Sequence, residues 1–332
     1  MTRVAVIGLG RWGPNLARNF ALQGALAGLC DERPEALMRS AEKYPDAKRY
    51  DRLDSVLTDP EIDAVAIATP ASTHFAVGSA VLAAGKHALI EKPMANNAGD
   101  AATLTERARA GGLTLMVGHL LQYHPAVRRL QELVQDGSLG RMRYVYSNRL
   151  NLGAIRTEEN ILWSFAPHDV SVLLSLLETA PERVSCHGGT YLSAGVPDVT
   201  LNAIEFPDGV RAHLFVSWLH PFKEQRLVVV GSTAMAVFDD TADDKLLLYP
   251  HEVDLSGEMP TTVRADAKVI ELPDDEPLAL ECAHFLECIR AKKTPRTDGN
   301  EAQRVLRVLD GCQLSMDRSG APVDLGHESS AN

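Results

Sequence analysis

The N-terminal part of the sequence contains a loop in which glycines are spaced as G-x-G-x-x-G. The loop consists of Gly8, Leu9, Gly10, Arg11, Trp12 and Gly13. It follows the apolar run Val4–Ile7, which is typical of a buried strand, and it precedes Pro14–Leu22, whose apolar positions suit a helix. In such a turn the first glycine permits the bend, the second lets the backbone approach a pyrophosphate, and the third lets helix and strand pack closely. Because amide groups at the helix start then face the phosphates, the whole loop is predicted to bind a dinucleotide.

An aspartate, Asp31, ends the next apolar run, Ala25–Cys30, and lies 21 positions after Gly10. A carboxylate there accepts hydrogen bonds from ribose hydroxyls and repels a 2′-phosphate, which favours NAD over NADP. Two alternatives exist: Asp31 could cap the segment that begins at Pro34, and Arg33 could meet a phosphate. We predict NAD as the cofactor.

A lysine follows another predicted strand. His87–Ile90 is a short apolar run, and Glu91, Lys92 and Pro93 come directly after it. Ligands of open α/β sheets bind outside the carboxyl ends of the strands, so Lys92 should point towards the cofactor. A lysine there could hold a substrate oxygen and stabilise the charge that develops on it. The alternative is a solvated loop lysine.

A histidine, His168, stands within the sequence A-P-H-D and precedes an apolar segment. Pro167 suits the first turn of a helix and Asp169 complements a helix N-terminus, so a helix is predicted over Val170–Leu177 with His168 at its start. An imidazole with an ordinary pKa of ~6.5 can accept a proton near neutrality. The alternative is a histidine that is simply packed at a helix start.

Two differently built halves of the chain must position these residues. Up to about residue 120, apolar runs alternate with helical segments, which predicts an α/β fold with a Rossmann-type doubly wound parallel sheet. Beyond it, strand patterns joined by turns predict an α+β domain with a large, mainly antiparallel open sheet, completed by helices over Pro277–Ala291 and Asn300–Ser319. We therefore predict an NAD-binding domain over residues 1–120, a substrate-binding and oligomerisation domain over 121–326, and a flexible tail over 327–332. The apolar side of the open sheet needs cover, which predicts a homodimer or homotetramer.

The composition argues against several kinds of partner. A formal net charge of −11 disfavours nucleic acid and anionic membranes, and no run approaches the ~20 apolar residues of a membrane helix. Five cysteines without framework spacing, and a start that leads straight into a strand, suggest reduced thiols in a cytoplasmic protein. Cys282, His284 and Cys288 fall in one helix, where only the last two share a face, so no metal site is expected.

Three motifs resemble the glucose–fructose oxidoreductase, inositol dehydrogenase and MocA family: E-K-P at 91–93, T-P-x-x-x-H at 69–74 and A-P-H-D at 166–169. The resemblance spans nearly the whole chain and implies an NAD-dependent dehydrogenase acting on a CH–OH group, in which His168 transfers the proton. The residues that it implies near the cofactor are Thr69, Pro70, Thr73, His74, Glu91 and Lys92. The family usually has an aspartate four residues before this histidine. This chain has Ser164 there, which leaves Asp169 or the helix dipole to tune the imidazole.

The A-P-H-D form looks most like the branch of the family that oxidises nucleotide-linked sugars at C3. The resemblance thus implies a UDP-N-acetylglucosamine 3-dehydrogenase whose keto product an aminotransferase consumes, as in lipopolysaccharide or lipid A sugar synthesis. An inositol, polyol or free-sugar dehydrogenase is the alternative, and a non-catalytic NAD-binding regulator is disfavoured because it would need neither Lys92 nor His168. The candidate substrate contacts are Tyr123, Arg149, Arg156, Trp163 and Asp169, with Lys223 and Arg226 as further cations for a diphosphate.

Overall fold

The computed structural model describes residues 2–153, 155–157, 159–254 and 257–326, so the predicted tail at 327–332 lies outside the described residues. The chain divides into two compact units. One consists of the residues up to Tyr123 together with Asp275–Leu306, and the other consists of His124–Asp274 with the chain from Arg307 onward.

The first unit is built on a parallel sheet. Its strands are β1 (Val4–Ile7), β2 (Leu26–Cys30), β3 (Lys48–Tyr50), β4 (Ala64–Ile67), β5 (His87–Ile90) and β6 (Leu115–Val117). Among the described residues they lie in the order β3-β2-β1-β4-β5-β6, with every neighbouring pair parallel. The central strands β1 and β4 are buried at every position, which explains their continuous apolar sequences. The chain order reverses between β1 and β4, and ligands of such sheets bind at this switch point.

Helices connect these strands and cover the sheet. They are α1 (Gly13–Leu22), α2 (Pro34–Ala41), α3 (Leu53–Thr58), α4 (His74–Ala83) and α5 (Ala98–Gly111). A short 3₁₀ helix, Leu120–Tyr123, follows β6 and ends this part of the unit.

The second unit contains a mixed sheet. The chain of this unit begins with helix α6 (Pro125–Gln135). Helix α7 (Ile161–Leu177) comes after the unit's first strand. The strands are β7 (Tyr144–Leu150), β8 (Arg183–Gly189), β9 (Val199–Glu205), β10 (Arg211–Ser217), β11 (Glu224–Val230), β12 (Met235–Asp239), β13 (Leu246–Tyr249), β14 (Glu252–Asp254), β15 (Thr261–Val263), β16 (Lys268–Val269) and β17 (Val323–Asp324). In the described part of this unit the large sheet has the order β16-β13-β12-β11-β7-β10-β9-β8-β17, and β14 pairs with β15. Only β7 and β10 pair in parallel there, so the predicted fold class is confirmed.

Two helices complete the chain, α8 (Pro277–Ala291) and α9 (Gly299–Asp317). Helix α8 follows the second unit's strands in sequence but folds within the first unit, where it packs on α1. Its buried residues Leu278, Cys282 and Phe285 join the same core as Phe20, whose ring meets Phe285 edge-on at 6.3 Å. This helix was predicted to belong to the second domain, but its buried face joins the core of the first unit beside α1.

Candidate functional site

The glycine-rich loop connects β1 to α1 at the switch point of the first unit's sheet. Gly8 has a φ of +88°, and a Cβ there would lie 2.6 Å from the carbonyl oxygen of Ala68. A Cβ on Gly13 would lie 1.9 Å from the carbonyl oxygen of Gly8, so both positions exclude a side chain. At Gly10, within the described residues, a Cβ would meet only a terminal nitrogen of Arg33, at 3.6 Å. The tight turn and the open backbone at Gly10 fit the pyrophosphate of a dinucleotide.

Asp31 follows β2 and is oriented by the glycine-rich loop itself. Its carboxylate accepts the backbone N–H of Leu9 at 2.7 Å and that of Arg33 at 2.9 Å. The Arg33 guanidinium also donates to both carboxylate oxygens at 2.9 Å. Burial would raise the pKa of Asp31, but the hydrogen bonds from Arg33 and Leu9 outweigh it and lower that pKa. Asp31 is therefore an ionised acceptor held beside the predicted dinucleotide loop, and it does not cap α2.

The loops after β4 and β5 are joined through His74. Its Nδ1 lies 2.7 Å from the carbonyl oxygen of Pro93, and its Nε2 lies 2.9 Å from that of Thr69. The Thr73 hydroxyl also lies 2.7 Å from the Thr69 hydroxyl. His74 is only 1% exposed, whereas Pro70 is exposed. The ring of His74, a predicted neighbour of the cofactor, is buried between two loop carbonyls and supports the loop that carries Lys92.

Glu91 and Lys92 directly follow the carboxyl end of β5. The Glu91 carboxylate accepts a hydrogen bond from the Trp12 indole of the glycine-rich loop and lies 3.3 Å from the backbone nitrogen of Lys92. A Cβ on Gly118 would lie 2.9 Å from Glu91 Oε2, so the missing side chain makes room for this carboxylate. Arg11 is exposed. Glu91 thus connects the glycine-rich loop to the backbone of Lys92.

His168 lies on α7, in the second unit, and the predicted position at the helix start is wrong. The helix begins at Ile161, where the Asn160 side chain accepts the backbone N–H of Trp163, so Pro167 falls inside it. His168 is therefore in the third turn and partly exposed. Ser164 precedes it by one turn and lies on the same helix face.

Asp169 does not complement a helix N-terminus, because it forms a buried ion pair with Arg149 of β7. Arg149 Nε donates to Asp169 Oδ2 at 2.6 Å, its Nη2 donates to Oδ1 at 3.2 Å, and the Ser147 hydroxyl donates to Oδ1 at 2.7 Å. Arg149 is 9% exposed and Asp169 is more deeply buried. Arg149 and Asp169, which were predicted as separate substrate contacts, thus bind each other and hold α7 against the sheet.

Tyr123, another candidate substrate contact, is buried in the first unit. It is 3% exposed, its hydroxyl lies 3.0 Å from that of Thr297, and burial raises the pKa of the phenol. A buried phenol with a raised pKa is a poor proton acceptor, so its role is in the core of the first unit. The Trp163 indole donates to Gln313 of α9 at 3.2 Å, and Trp163 is partly exposed.

The remaining candidate cations differ in whether they form ion pairs with acidic side chains. Arg156 forms an exposed pair with Glu159 at 2.9 Å, and Arg226 is bound to Asp239 at 2.7 Å. Lys223 is exposed and directly precedes β11.

One buried acid was overlooked in the sequence. Glu281 lies on α8 and is 1% exposed. The signal was available, because Glu281 is three residues after Leu278 and four before Phe285, which places it on the helix face that packs on α1.

Within the described part of the chain, no group of three or more His, Cys, Asp or Glu residues is placed to hold a metal ion. Over the same residues, none of the helices has the combination of length and apolarity that crossing a bilayer requires.

Comparison with known proteins gives matches over both units. The model for the GFO/IDH/MocA oxidoreductase family, NAD-binding Rossmann fold, matches residues 2–119, and that for the GFO/IDH/MocA C-terminal domain matches residues 127–237. A UDP-N-acetylglucosamine 3-dehydrogenase of Acidithiobacillus ferrooxidans is 29% identical over 92% of this chain and 94% of its own. A scyllo-inositol 2-dehydrogenase (NAD⁺) of Bacillus subtilis is 28% identical over 97% and 96%. The solved structure of the Acidithiobacillus enzyme matches with a TM-score of 0.84 at 27% identity, covering 96% of this chain and 98% of that one.

Proposed function

Because the chain belongs to the GFO/IDH/MocA family of NAD-binding oxidoreductases, we propose that it oxidises C3 of UDP-N-acetylglucosamine to a ketone. The observation that supports this substrate is the match, over nearly the full length in sequence and in fold, to a UDP-N-acetylglucosamine 3-dehydrogenase. The product would be a 3-keto nucleotide sugar, which is a suitable substrate for an aminotransferase.

The first unit would hold the cofactor through the glycine-rich loop and Asp31. The backbone at Gly10 is open to a pyrophosphate, and the ionised Asp31 carboxylate would accept the ribose hydroxyls. Trp12 and Glu91 are hydrogen-bonded to each other, so they would order the loop from the other side. When bound, NAD supplies the redox chemistry by taking up a hydride.

Lys92 and His168 would carry the proton chemistry. The Lys92 ammonium would hold the substrate oxygen and stabilise the negative charge that grows on it as the hydroxyl proton leaves. An imidazole nitrogen of His168 would accept that proton, which a histidine of ordinary basicity can do near neutrality. The Arg149–Asp169 pair would keep α7, and with it His168, in a fixed position on its sheet.

A nucleotide sugar also needs cations for its diphosphate. Arg149 is already paired, so the exposed Arg156 and Lys223 are better placed to meet phosphate oxygens in the second unit. Replacing either with alanine should raise KM more than it lowers kcat, because a contact made equally before and during the reaction contributes to binding alone.

The test is to incubate the enzyme with NAD⁺ and UDP-N-acetylglucosamine and to trap the ketone with an aminotransferase, which pulls an unfavourable equilibrium forward. We expect NADH and a 3-keto product with the nucleotide sugar, and little of either with free N-acetylglucosamine or myo-inositol. Robust turnover of an inositol with none of the nucleotide sugar would overturn the proposal. It would favour a polyol dehydrogenase, the second candidate, which the similar match to scyllo-inositol 2-dehydrogenase supports.

A further inference from the structure

Glu281 is buried in the first unit with too few partners for a charged group. It is 1% exposed, and among the described residues its Oε1 has no hydrogen-bond partner. The neighbouring positions Leu278, Cys282 and Phe285 on α8 belong to the apolar core. An ionised carboxylate in such surroundings costs far more free energy than a neutral carboxylic acid does. The surroundings of Glu281 therefore favour the protonated form.

A second carboxylate, Glu91, belongs to the same unit. Gly118, whose N–H donates to the Ile90 carbonyl at 2.8 Å, lies against the Glu91 carboxylate. The chain continues from Gly118 through His119 into the 3₁₀ helix Leu120–Tyr123, against which α8 packs. Helix α8 therefore packs against a segment that begins beside Glu91, and the charge of Glu91 acts on Glu281.

Glu91 differs from Glu281 because it has partners that favour the ionised form. It accepts the Trp12 indole N–H, its carboxylate lies near the backbone nitrogen of Lys92, and the charge of Lys92 acts on it. Two ionised carboxylates that act on each other would repel, and among the described residues only Glu91 has neighbours that favour its charged form.

We propose that Glu91 and Glu281 form a carboxyl pair that holds one proton at mildly alkaline pH, with the proton on Glu281. Lys92 then meets a single opposing charge, on Glu91. In this arrangement Glu91 is a positioning residue that acts through Lys92 and through the glycine-rich loop, and Glu281 limits the local negative charge. The consequence for catalysis rests on the role proposed above for Lys92, whereas the location of the proton does not.

The acid–base properties of both groups support this assignment. Burial raises the pKa of Glu91 to about 7, against the opposing effects of Lys92, Trp12 and His119. Burial, reinforced by the charge of Glu91, raises the pKa of Glu281 well above its ordinary value. The titratable groups that interact with the pair from the surrounding elements are Lys92, His119, Tyr123 and Cys282.

The raised pKa values of Glu91 and Glu281 determine how activity and stability should change with pH. As the pH falls through about 7, Glu91 takes up a proton and Lys92 loses its opposing charge. Glu281 keeps its proton in the folded protein at pH values where an unfolded glutamate has lost it, so its contribution to stability falls as the pH rises.

The first experiment locates the proton without any substrate. Infrared spectra of the full-length protein at about pH 8, where a solvent-exposed glutamate is ionised, should contain the carbonyl stretch of an undissociated carboxylic acid. This band should disappear in Glu281→Gln and persist in Glu276→Gln. Glu276 is a matched control because it precedes α8 and its pair with Arg18 lowers its pKa. A wild-type spectrum without the band, or a band that survives in Glu281→Gln, would overturn the proposal.

Unfolding equilibria provide a second readout. The quantity to compare is the unfolding equilibrium constant of the wild type divided by that of Glu281→Gln. This ratio should rise about tenfold for each pH unit between about 6 and 8, because Glu281 releases its proton on unfolding and the glutamine has none to release. The corresponding ratio for Glu276→Gln should be constant. A constant ratio for Glu281→Gln would mean that this carboxyl is already ionised in the folded protein, which contradicts the proposal.

The third experiment tests the link to Lys92 through the slope of the pH profile. Below about pH 6.5, log kcat/KM of the wild type should fall more steeply than that of Glu91→Gln, with slopes that differ by about one, because the Glu91 carboxylate takes up a proton only in the wild type. In Glu91→Gln kcat should also be lowered about tenfold or more. Equal slopes in the two proteins would refute the role of Glu91. An enzyme inactive on every sugar would leave the infrared result intact, so failure of the proposed function can be told from failure of this inference.

Discussion

The ion pair between Asp31 and Arg33 should determine which cofactor the enzyme uses. Asp31 accepts the guanidinium of Arg33 through both oxygens at 2.9 Å. In Asp31→Ser the cofactor loses a charged acceptor for its ribose hydroxyls, and hydrogen bonds to charged groups contribute about 1.5–3 kcal/mol. Since 1.4 kcal/mol corresponds to tenfold, NAD should bind about 10- to 100-fold more weakly.

The same substitution releases a cation beside the position of the 2′-phosphate. A guanidinium that no longer pairs with Asp31 can donate to phosphate oxygens in a charge-assisted contact of similar strength, about 1.5–3 kcal/mol. NAD binding weakens and NADP binding strengthens, each by about 10- to 100-fold. The two factors combine, so the ratio of kcat/KM for NAD to that for NADP should fall by about 10²- to 10⁴-fold.

Three further variants separate the causes. Asp31→Asn keeps an oxygen for the Leu9 N–H, which Asp31 now accepts at 2.7 Å, and so tests whether loss of charge alone is sufficient. Arg33→Ala should leave the preference for NAD, whereas Asp31→Ser/Arg33→Ala should lose the gain with NADP. Kinetics with both cofactors, supported by fluorescence titration of NADH and NADPH, measure these effects. A wild type that strongly prefers NADP, or an Asp31→Ser variant that loses activity equally with both cofactors, would refute the reasoning.

Three other predictions concern catalysis, stability and assembly. Lys92→Met and His168→Asn should each lower kcat by about 10²-fold or more while leaving NADH binding within a few-fold, and a His168→Asn enzyme with near-normal turnover would exclude His168 as the proton acceptor. Arg149→Met leaves Asp169 buried without its ionic partner and should lower the free energy of unfolding by about 3–5 kcal/mol, which Arg149→Met/Asp169→Leu should largely restore in denaturant titrations. The large sheet exposes apolar residues such as Leu201, which is 56% exposed, so light scattering should find a dimer or tetramer that Leu201→Glu weakens, and a monomer at micromolar concentration would contradict this.

The fold of the first unit could be predicted from the sequence because its signals are local. Continuous apolar runs such as Ala64–Ile67 identify strands that are buried on both faces, and their alternation with helical segments indicates parallel connections. The glycine-rich loop is equally local, since its spacing and the strand before it are read within a few residues. These features lead to a doubly wound parallel sheet without any knowledge of long-range packing, whereas the order of its strands came from the structure.

The start of α7 shows where local reasoning fails. Pro167 suggested a first turn, but the helix begins six residues earlier, where Asn160 provides the N-cap. Proline is also found inside helices, so a capping residue further upstream had to be considered as a competing start. The packing of α8 could not be deduced either, because its apolar face fits several partners and the choice of α1 depends on the folded first unit.

Charges were the least predictable part of the site, for a physical reason. A sequence shows that an arginine is present but not whether its charge is already neutralised. Arg149 forms a buried pair with Asp169, whereas Arg156 and Arg226 are exposed and pair with Glu159 and Asp239. A buried pair is costly to break while an exposed pair is weak, so the degree of burial decides which arginine can exchange its partner for a phosphate. By that criterion Arg149 supports the structure of the second unit, whereas the exposed Arg156 and Arg226 remain the candidates to bind a phosphate.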